Sequence, residues 1–232
     1  MACYSQPRQS NYYKVERKEL HYANKQSDNT VSYPLLTGEE HRDVLKTINQ
    51  FLQNKFVPTD SVIQSITSAD DKEEEDDDDW HEHIEEFFGV EDSTNKYLCI
   101  SYNYTADATG AAHGSWWSEY YHFDMQTGKQ LNFNDLFEDG IYDVIRKTIL
   151  ADFTFLPKER IDTFDAHSLV FQFYIATRDC DDNGSCLVIY FPPYTDVGDL
   201  SGAGYIGMNY TIAEKEYAPF VKSKWKDELT DN

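Results

Sequence analysis

Several residue groups in this 232-residue chain have types and spacings suited to chemistry. His81-Glu82-His83 sets two imidazoles beside carboxylates. Positions i and i+2 point to different sides of a helix, and the flanking Trp80, Ile84, Phe87 and Phe88 recur at helical spacing, so the trio reads as polar surface rather than a metal site. The run Asp70 to Asp79 holds nine acids and one Lys, but it lacks the D-x-D-x-D-G pattern that shapes a Ca²⁺ loop and reads as solvated chain. His113 has Asp107 and Glu119 nearby in sequence as orienting acids, yet no Ser or Cys nucleophile elbow accompanies it, so it reads as a turn residue. Asp196 and Asp199 would be the carboxylate pair of a glycosidase, but acids in a Gly-rich loop usually form turns. Gly198, Gly202, Gly204 and Gly207 do not follow a strand into a helix, so they are no phosphate cradle. The chain is therefore expected to have no catalytic centre, no metal site and no cofactor.

The aromatic segments point instead to binding. Ser115-Trp116-Trp117 follows the small-residue turn at Gly110 to Gly114, and adjacent Trp residues on a turn cannot both enter one core. Pro192-Pro193-Tyr194 opens a long loop in which Asp196 and Asp199 surround an aromatic anchor. Trp and Tyr are the usual anchors of protein interfaces, so Ser115, Trp116, Trp117, Pro193, Tyr194, Asp196 and Asp199 form the expected partner-binding set.

Cys180 and Cys186 flank Asp181-Asp182-Asn183-Gly184-Ser185, and Asn-Gly is a strong tight-turn signal. Apolar runs on both sides, Leu169 to Ala176 and Leu187 to Phe191, make this a hairpin whose mouth a Cys180–Cys186 disulfide would close. Such a bond implies an oxidising compartment. Cys99, within the apolar run Tyr97 to Tyr102, reads as a buried thiol. Met1-Ala2-Cys3 followed by a polar stretch to Asn11 looks like the start of a bacterial lipoprotein after its leader is cut, with Cys3 as the lipidated residue.

Charge narrows the partner. Twenty basic residues against 42 acidic ones give a net -22, of which Asp70 to Asp79 supplies -8, leaving -14 on the rest. Phosphate recognition needs clustered Lys and Arg, so nucleic acid is excluded, and an anionic membrane is reached only through a lipid anchor. A cationic protein is favoured, because opposite fields speed encounter and reject wrong partners. No apolar run approaches the roughly 20 residues that span a bilayer.

Two stretches show helical apolar spacing. Val44, Leu45, Ile48, Phe51, Leu52 and Phe56 give a helix over about Glu39 to Phe56, closed by Pro58. Ile141, Val144, Ile145, Ile149 and Phe153 give a second, over about Gly140 to Phe155. Ser61 to Ile66 fits a strand or a helix, and Trp80 to Phe88 a short helix. Strands are predicted within Tyr12 to Val31, at Tyr97 to Thr105, Tyr120 to Met125, both arms of the cysteine hairpin and Tyr205 to Ile212, with turns at Ser32 to Gly38 and Gln126 to Lys129. At 15% aromatic content, Tyr and Phe favour sheet surfaces. The expected fold is α+β, an antiparallel sheet carrying two main amphipathic helices, with two small lobes sharing a core. Residues 1-11 would be a tether, 12-95 an N-terminal lobe with an acidic insertion at 70-79, and 96-232 a C-terminal domain.

The segments Gly110-Ala111-Ala112-His113-Gly114, Tyr121-His122-Phe123-Asp124-Met125-Gln126-Thr127-Gly128-Lys129, Leu131 and Asp135-Leu136-Phe137 occur in that order. Val188-Ile189-Tyr190-Phe191-Pro192-Pro193-Tyr194 follows, and Ser32-Tyr33-Pro34-Leu35-Leu36-Thr37-Gly38 with Ile48-Asn49 precedes. Together, over roughly residues 30 to 215, they resemble the C-terminal domain family of RsiV-type proteins and the domain before it. That architecture occurs in lysozyme-sensing anti-sigma factors, in appendages of peptidoglycan deacetylases and in stand-alone secreted or lipid-anchored proteins. The resemblance implies an α+β fold and a protein that binds rather than catalyses, with a basic lysozyme-like cell-wall hydrolase as the partner. This chain departs from the anti-sigma factors in having no transmembrane or sigma-binding segment, and the acidic run looks like an insertion. Immunity against a secreted antibacterial toxin and binding of peptidoglycan or another polysaccharide are the alternative expectations, and all of these place the protein outside the cytoplasm.

Overall fold

A computed structural model describes residues 10–68, 81–112, 114–153, 162, 164–176, 184–193 and 207–230. The fold is α+β, built on a mixed six-stranded sheet and a second, three-stranded one. In chain order the first sheet contains β1 (Lys14–Ala23), β2 (Ser27–Thr37), β3 (Glu82–Ser93), β4 (Tyr97–Ala108), β5 (Ser115–Asp124) and β6 (Gln130–Leu131), and its spatial order is the same. Helices α1 (Arg42–Phe56) and α2 (Asp60–Thr67) connect β2 to β3, while α3 (Phe133–Leu136) and α4 (Ile141–Asp152) follow β6. Strands β7 (Gln172–Ala176), β8 (Cys186–Phe191) and β9 (Met208–Ala213) form the second sheet, and two one-turn helices, Glu214–Tyr217 and Lys226–Leu229, close the described chain. Among the described residues, no helix is long and apolar enough to cross a membrane.

The six-stranded sheet separates two cores. Strand alternation sends Leu98, Ile100, Tyr102, Tyr121 and Phe123 to one face, where they pack with Leu45, Ile48, Leu52 and Phe56 of α1. Tyr97, Cys99 and His122 point to the other face, toward α4 and the second sheet, where Ile141, Ile145 and Ile149 meet Leu187, Ile189 and Ile212. Each expected amphipathic helix thus buries its stripe, but on opposite sides. The β3–β4 hairpin joins the two halves of the chain within one sheet.

Four sequence expectations need correction. The sheet is not wholly antiparallel: β2 pairs β3 in parallel over Ser27–Val31, because α1 and α2 carry the chain back before β3 begins. Residues from Glu82 onward form β3 rather than a helix, since a long hairpin with β4 satisfies their backbone and overrides the local spacing. Tyr33-Pro34 lies inside β2 rather than in a turn. Leu36, two positions on, turns its N–H and C=O to Asn49 of α1 at 2.7 and 2.8 Å, so the donor that Pro34 lacks falls on the side where β3 pairing has already ended at Val31. Finally, Ser115-Trp116-Trp117 opens β5 and is not part of the preceding turn.

The segments that carry the family resemblance perform turn and cap chemistry. Asp124 is buried and accepts from the backbone N–H of Gln126 at 2.8 Å and of Thr127 at 3.3 Å, while Gly128 supplies the left-handed residue at φ 74°. Asn132 and Asp135 form a reciprocal capping box at the start of α3, and Lys129 bonds Asp135 at 2.6 Å. Gly38 has no room for a side chain, because a Cβ there would stand 2.5 Å from the Tyr12 carbonyl oxygen.

Candidate functional site

Strand geometry decides what the two tryptophans do. Trp116 pairs with Thr105 and Trp117 with Tyr104, so their side chains leave opposite faces of the sheet. Trp117 lies on the α1 face, half-buried, with its ring stacked on Tyr104 at 3.8 Å and 18°. Trp116 lies on the other face and is 47% exposed, and Ser115 is exposed at the start of the strand. Around Trp116 the sheet end is polar and acidic. The row across the strands is Trp116, Thr105, Glu85 and Thr30, and the next row outward places Asp107 opposite His83. Glu85 and Asp107 are both exposed. The row on the inner side contains Ser118, whose hydroxyl donates to Asn103 Oδ1 at 2.7 Å.

The second aromatic segment is rooted beside the same strand. On this face Tyr120 stacks on Tyr174 of β7 at 4.6 Å and meets Tyr190 of β8 edge-on at 6.2 Å. Tyr190 reaches the backbone of Ser118 with its hydroxyl. Burial raises its pKa, and this contact opposes the rise. Pro193, half-buried, leaves β8 three residues after Tyr190. Where the chain returns, Gly207 lies so close to the Tyr190 ring that a Cβ would stand 2.8 Å from it. Both ends of the long loop are therefore held at Tyr190, next to Ser118 and two residues from Trp116. Tyr194, Asp196 and Asp199 lie outside the described residues, as do His113, Cys180, Cys3 and the acidic run. The structure thus places Trp116 on the same face of β5 as the Tyr120–Tyr190 contact at the base of the Pro193 loop, and sends Ser115 and Trp117 to the opposite face.

Cys186 is disulfide-bonded and opens β8, at the opposite end from the loop. Cys99 is a free, fully buried thiol whose pKa burial raises well above the ordinary value. It pairs with His122 in the β4–β5 register.

His122, within a resemblance segment, has the most perturbed imidazole among the described residues. Burial lowers its pKa to about 3, so it is neutral at pH 7, with Nδ1 bonded to the Tyr97 hydroxyl at 2.7 Å and its ring stacked on Phe173 at 4.0 Å. A neutral histidine walled in by aromatic rings is a core group here. His83 begins a strand rather than a helix and lies 3.9 Å from Asp28, which His21 approaches to 3.4 Å from the other side. Among the described residues, no group of three or more His, Cys, Asp or Glu is arranged to hold a metal.

The exposed acids on the same sheet end as Trp116, Asp107 on the adjacent β4 and Glu85 one strand further on β3, were not readable from sequence, because their placement depends on the β3–β4–β5 register. Glu82 to Phe87 has its apolar residues, Ile84 and Phe87, three positions apart, so no local alternation marked it as a strand.

No family profile matches the sequence, and no curated protein matches it. Solved structures do. A member of the DUF3298 family from Bacteroides fragilis superimposes with a TM-score of 0.57 at 12% identity, covering 92% of this chain and 94% of that one. A DUF3298 family protein from Pseudomonas aeruginosa superimposes with a TM-score of 0.52 at 15% identity, covering 94% and 98%. Over nearly its whole length, this chain has the fold of these DUF3298 family structures.

Proposed function

We propose that this protein is a non-catalytic, extracytoplasmic binding protein whose partner is a basic, lysozyme-like cell-wall hydrolase. The observation that carries the reading is the surface around Trp116: a large exposed indole at a sheet end that also carries the exposed acids Asp107 and Glu85, linked to the base of the Pro193 loop through Ser118 and Tyr190. An exposed aromatic anchor on a sheet end with exposed acids suits a cationic protein. The net charge of -22 supports the same partner, and the disulfide at Cys186 supports an oxidising compartment. The resemblance to RsiV-type domains supplies the class of enzyme. Titration calorimetry against a panel of lysozymes from different structural classes, at ~0.15 M salt, tests the reading. It expects saturable one-to-one binding with loss of the enzyme's activity. Absence of binding to every member of the panel rejects it.

A further inference from the structure

The six-stranded sheet ends at β1, a ten-residue strand whose one strand neighbour among the described residues is β2. Opposite residues of an antiparallel pair alternate between exchanging both backbone hydrogen bonds and exchanging none. Two observations fix this alternation in β1. At the hairpin end the Asn24 N–H donates to the Ser27 carbonyl oxygen at 2.9 Å, so every second pair back from Asn24 and Ser27 is bonded. At the other end Leu36, opposite Val15, gives its N–H and C=O to Asn49 of α1, so that pair exchanges none. Both give the same parity. The even residues of β1 bond to β2, whereas Val15, Arg17, Glu19, His21 and Ala23 turn their N–H and C=O outward.

The described chain leaves this edge uncovered. Before β1 it runs inward to the β3–β4 turn, where the Tyr13 hydroxyl donates to the Thr94 carbonyl oxygen at 3.1 Å and Ser10 to Asn95 at 2.9 Å. Helix α2 meets the hairpin end, where Asn24 donates to the Ile66 carbonyl oxygen at 2.9 Å. Edges that resist pairing are blunted by proline, by bulges, by lysines or by a covering element. β1 has no proline and an unbroken register, and its charges are mixed. Lys18 bonds Glu16 at 3.1 Å, and Arg17 lies 3.9 Å from Glu19 and 5.2 Å over the Phe88 ring.

The sequence of β1 is complementary to itself. A two-fold axis through Lys18 sets Arg17 opposite the partner's Glu19, and Glu19 opposite the partner's Arg17. Val15 and His21 pair in the same way, so every outward group from Val15 to His21 meets a counterpart. Lys18 meets its own copy at the axis, with Glu16 already bonded to each. Moving the axis by one residue would set Arg17 opposite Arg17 or Glu19 opposite Glu19, and like charges directly opposite are unfavourable.

We propose that this edge binds a second copy of the chain, joining two six-stranded sheets through antiparallel β1 strands. Trp116 stands on β5, four strands away, so the dimer presents it twice and leaves it open. The pairing does not depend on what Trp116 binds.

The test is sedimentation equilibrium of the full chain from ~5 µM to ~0.5 mM at ~0.15 M salt, joined to amide-resolved hydrogen exchange at the upper concentration. The mass should lie above 27.0 kDa and approach twice that value at the top of the range. Glu19→Pro removes an outward N–H that the monomer does not use, so it should fold and remain monomeric. The Arg17 and His21 amides should exchange at least about tenfold more slowly in the wild type than in Glu19→Pro, while the Leu20 amide, bonded to β2, is protected in both. Arg17→Glu and Glu19→Arg should each weaken the dimer about tenfold, and the two together should restore it. A mass of one chain throughout the range, a dimer undiminished in folded Glu19→Pro, or single exchanges whose loss the double exchange does not recover would overturn the proposal.

Discussion

Trp116 and Trp117 are adjacent in sequence and lie on opposite faces of β5, one 47% exposed and the other stacked at 3.8 Å on Tyr104. Their roles therefore separate. Trp117→Ala removes a stacked, half-buried ring and should cost about 1–3 kcal/mol, read from denaturant unfolding. Trp116→Ala should change stability by no more than about 0.5 kcal/mol. Equal losses in the two variants would place Trp116 in the fold rather than on a binding surface.

Lys224 lies 2.6 Å from the buried Asp124 and ties the C-terminal segment to the β5–β6 turn. Burial opposes ionisation of Asp124, but Lys224, the Gln126 N–H and the Thr127 side chain outweigh it and hold its pKa below the ordinary value. A depressed carboxyl pKa contributes stability that is present above the unfolded value of ~3.9 and is lost as pH falls through the folded one. Lys224→Ala should cost about 1–3 kcal/mol at pH 7 and raise the pH of acid unfolding. The check is a set of denaturant midpoints between pH 7 and pH 3.

His122 also links stability to pH. Its folded pKa of about 3 lies below the unfolded value of ~6.5, so the unfolded chain binds the extra proton between them. The stability from keeping it neutral is complete above pH ~6.5 and declines toward pH ~3, by up to ~1.4 kcal/mol per pH unit. His122→Gln should fold less stably at pH 7 and show a slope of stability against pH smaller by about one proton between pH ~6 and ~4. An unchanged slope would mean that His122 titrates normally.

Asn49 bonds both the N–H and the C=O of Leu36, a residue 2% exposed. Asn49→Leu should cost about 1–3 kcal/mol, because it leaves buried backbone groups without partners. Hydrogen exchange of the Leu36 amide should accelerate more than that of Ile100 in the centre of the sheet. Equal acceleration at both positions would contradict a local role.

These side chains also show what was legible in the sequence. The stripe from Val44 to Phe56 and the one from Ile141 to Phe153 specify their helices, because 3.6-residue spacing with an apolar face has few other solutions. Asp124 to Lys129 specifies its turn through Gly128 and the carboxylate of Asp124. The β3 region was not legible. Ile84, Phe87 and Phe88 fit a helix by spacing, yet Phe88 joins the α1 core while Phe87 turns to the opposite face. Pairing with β4, distant in sequence, decides the matter, and local spacing carries no information about it. The same error hid the candidate site, because Glu85 and Asp107 share a sheet end with Trp116 only after β3, β4 and β5 align. Aromatic type alone identified Trp116, whereas its exposure follows from strand parity.

The most direct test of the central claim is the affinity of the wild type, Trp116→Ala and Trp117→Ala for a basic lysozyme, measured by calorimetry at ~0.15 M salt alongside thermal unfolding. Wild type and Trp117→Ala should bind alike at a temperature where both are folded. Trp116→Ala should melt with the wild type and bind at least about tenfold more weakly, a loss of ~1.4 kcal/mol or more. Undiminished binding by Trp116→Ala, or no binding by the wild type to any lysozyme, would contradict the account.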